Sequence, residues 1–247
     1  MAKPKLTVCA PDPRTLLGYR DRSWHVTKAL SELVDNSFGE DRGNAGTAYI
    51  RWDKKSRTME VWDDGRGMVA MSHLFILGRG VGEKGNDIGR YGQGGSQAIL
   101  WLADDVEVWT VNEHIQRAYT HQDLAAIIAD GDRWIEVDDH WSPATANNTP
   151  AGIGKGHGTL IRMKLRKGHD VYPAQIKEHM SKTYASALRH DRKIVWQADN
   201  GPEQLQAWDP GKIGYEAVGE FKLRGLGVGF KISYAPSVPE RDSGISV

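Results

Sequence analysis

The chain has 247 residues, of which 39% are hydrophobic and 26% charged, enough to bury a good core as one large domain or as one domain plus part of another, and a globular, soluble composition. Lys plus Arg and Asp plus Glu each number 32, so the formal net charge is zero, and bulk electrostatics supply no argument for a nucleic-acid or membrane partner. One cysteine, Cys9, excludes an internal disulfide, and with neither an apolar run of about 18 residues nor a signal-peptide core in MAKPKLTVCAPDPRT, the chain reads as cytoplasmic and not membrane-bound.

Residues 1–22, with Pro4, Pro11 and Pro13, read as irregular. From Val26 the apolar positions fall at 26, 29, 30, 33 and 34, the stripe of an amphipathic helix. TAYIRW (47–52) and TMEVW (58–62) read as strands joined by the polar turn DKKSR. DDGRGM (63–68) follows, with a helix expected through Leu77. Residues 78–95, GRGVGEKGNDIGRYGQGG, hold eight glycines in eighteen positions, a composition no packed element tolerates, so a long mobile loop is expected. SQAILWLA resumes helix, and strands are expected at about 105–111, 115–121, 133–138 and 158–165, with a loop over 139–157. A helix is expected from Pro173 to Arg189. KIVWQ, LQAW, EAVGEFKL and GVGFKISYA then read as strands of a different unit. The organisation expected is therefore 1–168 as one domain and 169–247 as a connecting helix and the start of a second, transducer-like unit, incomplete in this chain.

Three stretches carry the chemistry. In ALSELVDNSFGED, Glu32, Asp35 and Asn36 cluster. Residues four apart share a helical face, so Glu32 and Asn36 are neighbours, with Asp35 beside them. At about 100° per residue the cluster lies roughly opposite the apolar stripe. Taken alone, the trio reads as a solvated helix face. DDGRGM ends a strand with Gly65 and Gly67 two apart, which permits positive φ and close approach of a ligand. An Asp there can accept a hydrogen bond from an exocyclic amine; the plainer reading is a simple turn, since Asp-Gly is a common turn pair. YGQGGSQAIL leads a glycine loop into a helix N-terminus, where backbone N–H groups suit phosphate; the plainer reading is a surface loop.

The three pieces occur in order within about 65 residues. ELVDNS, DDGRGM and GRYGQGG resemble the nucleotide-binding motifs of the GHKL ATPase superfamily, which includes DNA gyrase, the ninety-kilodalton heat-shock chaperone, histidine kinases and the mismatch-repair protein MutL. GHGTLIRM resembles the superfamily's downstream glycine-threonine strand, and the motif core spans about residues 24–165. Each motif is degenerate alone; the ordered set is specific.

The resemblance implies an α+β fold: the two-layer α/β sandwich of the Bergerat type, with a mixed, mostly antiparallel sheet and helices on one face. It implies ATP and magnesium as cofactors. Glu32 matches the general base, and Asn36 the magnesium-binding amide. Asp63 matches the acid that accepts from the adenine amino group. Gly67 and Met68 match the lining of the adenine pocket, and Thr159 a threonine at its back. Gly92, Gly94 and Gly95 match the phosphate-contacting end of a lid; Asp35, Gly65 and Gly89 complete the nucleotide-contacting set. Arg79, Lys84 and Arg90 read as lid surface.

ELVDNS most resembles MutL-like and MORC-like proteins, and IGRYGQGG leans toward the MORC-like group. That resemblance implies an ATP-dependent homodimer and DNA as a possible partner. After Asn36–Ser37 the family often has Asp-Ala, whereas this chain reads FGEDRGNAGT. Two other readings of the same fold are a kinase, against which Glu32 itself speaks, and a nucleotide-binding module without hydrolysis. GVGEKG satisfies G-x-G-x-x-G without an evident βαβ context, and GIGKGHGT fails the Walker spacing. The nine tryptophans read mostly as core, and the nine histidines include no H-E-x-x-H.

Overall fold

The computed structural model describes residues 12–39, 43–75, 94–145, 147–150, 153 and 156–209, and the backbone of 215–223, 226–234 and 245–246. In chain order the elements are α1 (Thr15–Arg20), α2 (Val26–Phe38), β1 (Thr47–Asp53), β2 (Thr58–Asp63), a 3-10 turn (Met71–Leu74), α3 (Gly94–Leu102), β3 (Ala103–Val111) and β4 (Gln116–Asp123). There follow α4 (Leu124–Asp130), β5 (Ser142–Pro143), β6 (Gly158–Leu165), α5 (Pro173–Thr183), α6 (Ala185–Arg189), β7 (Lys193–Ala198) and β8 (Gly201–Gln204). The chain continues with β9 (Tyr215–Leu223), β10 (Leu226–Tyr234) and β11 (Ile245–Ser246).

The strands form an eight-stranded sheet in the order β5-β4-β3-β6-β2-β1-β7-β8. Its neighbours are antiparallel except β1 and β7, which run parallel. Strand alternation explains the layering. Ile50, Met59, Val61, Val106, Val108, Ile161, Met163 and Ile194 point to one face and are buried with Leu30, Leu33, Val34, Ile99, Ile176 and Met180 of the helices. This is the expected two-layer α/β sandwich.

The opposite face carries a row across neighbouring strands: Tyr49, Trp62, Leu160, Trp109 and Tyr119 stand in register. Tyr49 stacks on Trp62 with ring centroids 5.1 Å apart. One row away, Arg162 pairs with Glu60 at 2.7 Å and Glu107 at 3.2 Å. Trp101 and Trp196 are core, as expected of tryptophans here, but Trp62 and Trp109 belong to this other face.

Several elements differ from the sequence expectation. Residues 15–20 are helical; the Asp12 carboxylate accepts the Arg14 N–H and the Asp12 carbonyl accepts the Thr15 N–H, closing the first turn. A single 3-10 turn, Met71–Leu74, stands in the stretch expected as helix after residue 68. Residues 133–138 form no strand. Instead α4 precedes them, capped by the Asp123 carboxylate on the Ala126 N–H at 2.8 Å and ended by Gly131 at φ 74°. The helix expected over 173–189 breaks at Tyr184, whose φ is −102° and ψ 19°. KIVWQ pairs with β1 in the first sheet, and its Ile194 and Trp196 are buried in the main core. The β8 strand precedes LQAW, which is not itself a strand. A second, three-stranded antiparallel sheet is ordered β11-β10-β9. The expected loop at 78–95 lies outside the described residues up to 93, and Gly94 and Gly95 open α3.

Candidate functional site

Helix α2 supplies the first two residues of the site. Its buried stripe, Val26, Ala29, Leu30, Leu33, Val34 and Ser37, faces the core. That orientation leaves Glu32 and Asn36 together on an adjoining face, where α2 packs on α3. Gly94 and Gly95 show how close the packing is. A Cβ on Gly94 would collide with Glu32 Oε2, and one on Gly95 would collide with Asn36 Nδ2. The two polar side chains therefore abut the first turn of α3, where a helix presents backbone N–H groups that have no intrahelical partner. Lys28 Nζ lies 2.6 Å from Glu32 Oε1, one helical turn back, and holds that oxygen while Oε2 faces Gly94.

The second end of the site is built around Asp63, the last residue of β2. Its side chain is buried. Oδ2 accepts from Ser37 Oγ at 2.9 Å, and Oδ1 accepts the N–H of Gly65 at 2.9 Å and of Thr159 at 3.3 Å. Burial pushes the Asp63 carboxyl up to about 6, against the opposing pull of these donors.

Thr159 and Thr110 are paired across β6 and β3, with hydroxyl oxygens 3.2 Å apart. Thr110 Oγ1 also accepts the Met68 N–H at 2.8 Å. Gly67 sits at φ 73°, and a Cβ there would strike the Val111 carbonyl. Only glycine lets the chain pass β3 at this point. Gly65 is equally confined, against the Gly43 carbonyl.

The structure thus brings Asp63, Gly65, Gly67, Met68 and Thr159 into one cluster, and Glu32, Asn36, Gly94 and Gly95 into another. Both are anchored on α2, since Ser37 follows Asn36. Asp35 Oδ1 accepts from the Tyr184 hydroxyl at 2.7 Å. Gly89 and Gly92, with Arg79, Lys84 and Arg90, lie outside the described residues.

Four residues enter the site that sequence reasoning did not assign. Ser37 holds Asp63, and Thr110 ties Met68 to Thr159. His157 Nδ1–H donates to the Gly65 carbonyl at 2.5 Å. Gly158, at φ 141°, has no room for a Cβ beside the Asp63 carbonyl. Ser37 was readable as the residue after Asn36, and His157 and Gly158 as part of GHGT. Thr110 gave no signal, being one hydroxyl in a strand of acidic and apolar residues.

The parts fit a nucleotide. A buried acceptor beside two threonines suits a purine amino group, and a glycine-opened helix start suits phosphate. Asn36 offers the neutral amide that a hard cation can share with phosphate oxygens and water.

The family described as histidine kinase-, DNA gyrase B- and HSP90-like ATPase has a model that matches residues 24–149. The match runs from just before α2 through β5, so it contains Glu32, Asn36, Asp63 and the opening of α3. A comparison with curated proteins found no match. On the family match and the fold that carries it, the chain belongs to the histidine kinase-, DNA gyrase B- and HSP90-like ATPases and has their ATP-binding domain.

Proposed function

We propose that this domain hydrolyses ATP slowly with magnesium and uses the cycle as a conformational switch. The observation that carries the reading is the packing of Glu32 and Asn36 against Gly94 and Gly95. It sets a carboxylate and an amide at the same helix start that would receive the phosphates. Phosphoryl transfer depends mainly on positioning and on stabilising charge, and these are what the arrangement supplies.

In this mechanism Asp63 accepts from the adenine amino group, with Thr159 and Met68 against the base. The N–H groups of the first turn of α3 meet phosphate oxygens. Asn36 would hold a magnesium ion, which when bound neutralises charge on those oxygens. Glu32 orients a water within hydrogen-bond reach. The water oxygen attacks the γ-phosphorus and its proton passes to Glu32. The bond to the bridging oxygen breaks and its electron pair leaves with ADP. Lys28 keeps the Glu32 side chain extended toward α3.

In MutL-like and MORC-like proteins, which the motifs resemble, ATP drives dimerisation and the proteins act with DNA. We carry both properties to this chain as parts of the same proposal: an ATP-dependent homodimer in a cytoplasmic, DNA-associated protein. No helix among the described residues is long and apolar enough to cross a membrane.

Steady-state phosphate release tests the chemistry. Glu32→Ala is expected to abolish turnover and leave ATP binding within about twofold; unchanged turnover would remove Glu32 from the role of base. Labelled γ-phosphate recovered on protein would favour the kinase reading. Nucleotide-dependent dimers in light scattering, with no turnover in the wild type, would favour a binding module. Turnover measured with and without duplex DNA across salt concentrations addresses the partner, because phosphate contacts are salt-dependent.

A further inference from the structure

Tyr184 stands far from the nucleotide in sequence, at the junction of α5 and α6, yet it is bound to the helix that carries the base. Its side chain is buried. The ring packs edge-on against Phe38, the last residue of α2, with centroids 5.7 Å apart and planes at 81°. The hydroxyl reaches along the helix to the Ser31 carbonyl at 2.9 Å and Asp35 Oδ1 at 2.7 Å. Burial, with the Asp35 carboxylate second, raises the phenol far above its ordinary range, so the group remains a donor.

The two acceptors are the chain neighbours of the two site residues. Ser31 precedes Glu32, and Asp35 precedes Asn36. One hydroxyl therefore holds the helical turn that carries both site residues, on the flank beside the face that meets Gly94 and Gly95. A second contact lies beside it: His179 Nε2 of α5 is 3.0 Å from Ser31 Oγ. Rotation of α2 by even one residue's fraction of a turn would move both Glu32 and Asn36 relative to α3. The buried stripe orients the helix on the core, and the Tyr184 hydroxyl adds two bonds at the turn that carries both site residues.

We propose that Tyr184 is a positioning residue for the ATPase site, setting the rotation of α2 so that Glu32 and Asn36 meet the opening of α3. The inference rests on the ATPase reading above. It also gives the segment after residue 168 a direct mechanical hold on the nucleotide site: a displacement of α5 and α6 reaches Glu32 through one hydrogen-bonded side chain.

The experiment is Tyr184→Phe, which keeps the ring on Phe38 and deletes the hydroxyl. Three readouts are taken together: melting temperature, affinity for a non-hydrolysable ATP analogue, and turnover. The expected result is a fall in kcat of about tenfold with analogue affinity within about twofold, because the Asp63 end is untouched. Asp35→Ala, which removes one of the two acceptors of the hydroxyl, is expected to lower kcat in the same direction as Tyr184→Phe. Full kcat in folded Tyr184→Phe, or a loss of affinity as large as the loss of kcat, overturns the proposal. If the wild type turns nothing over, the ATPase reading fails on its own, and amide hydrogen exchange decides the positioning role. Magnesium and analogue should slow exchange over residues 31–37 in the wild type, and that slowing should be lost in Tyr184→Phe. Slowing retained in the variant overturns the proposal.

Discussion

Gly94 is the residue on which the proposed chemistry is most exposed to a small change. Its missing Cβ is occupied by the end of a flexible side chain, Glu32 Oε2, not by backbone. Gly94→Ala should therefore fold but push the carboxylate away from α3. Turnover is expected to fall by roughly ten- to a hundredfold, with the melting temperature little changed; phosphate release and a thermal melt on the same sample check it, and intact turnover would mean that Glu32 acts from elsewhere. Asp63 makes a pH prediction. With its carboxyl raised to about 6, it is ionised and a good acceptor above that pH and carries a proton below it. Analogue affinity should fall as pH is lowered through about 6, and Asp63→Asn should bind weakly with a flat profile over the same range. A wild type equally flat would remove Asp63 from the adenine contact. The stability linkage has the opposite sense. A folded value above the unfolded one, near 4, stabilises the fold fully below about pH 4, and that contribution is lost as pH rises through about 6. Binding and stability thus respond to this one proton in opposite directions.

At the scale of elements, legibility followed periodicity. The stripe at 26, 29, 30, 33 and 34 marked α2 because one face of that helix is core, and the alternation in TAYIRW and TMEVW marked β1 and β2 because one face of the sheet is core. The α4 helix was hidden: seven residues leave too short a stretch for a 3.6-residue period to declare itself. Its markers were the two ends, Asp123 and Gly131, rather than its middle. The break at Tyr184 was hidden for a different reason. The helical pattern continues past it, and the residue at the break is bonded to α2, outside any local pattern. Asp35 shows the same limit within the site. Spacing groups it with Glu32 and Asn36, but its bond to the Tyr184 hydroxyl comes from some 150 residues away, and no local pattern contains that partner. Asp63, Gly67 and Thr159 each sit in a short motif that local sequence contains, although the contacts that gather them come from α2 and β3.

For the whole molecule, the parallel pairing of β1 with β7 fixes how much chain the ATP-binding sheet needs. Thr47 to Arg51 of β1 stand in register with Lys193 to Gln197. A fragment ending at residue 168 would leave β1 as an open edge and would uncover the core now buried by Ile176, Met180, Ile194 and Trp196. Each such side chain contributes roughly 1.5–3 kcal/mol, against a total stability of about 5–15 kcal/mol for a domain. Residues 1–168 alone are expected to aggregate, or to melt more than about 10 °C below residues 1–209; light scattering and a thermal melt of the two fragments check this, and equal melting temperatures would support a domain boundary at 168. Helix α2, finally, has almost no side chain to spare. Its apolar stripe belongs to the core, Glu32 and Asn36 to α3, Ser37 to Asp63, and Ser31, Asp35 and Phe38 to the elements after residue 168. Thirteen residues with nearly every direction claimed leave little ground for neutral drift, so a lineage that acquires a new client has to vary other parts of the chain and inherit this helix as it stands.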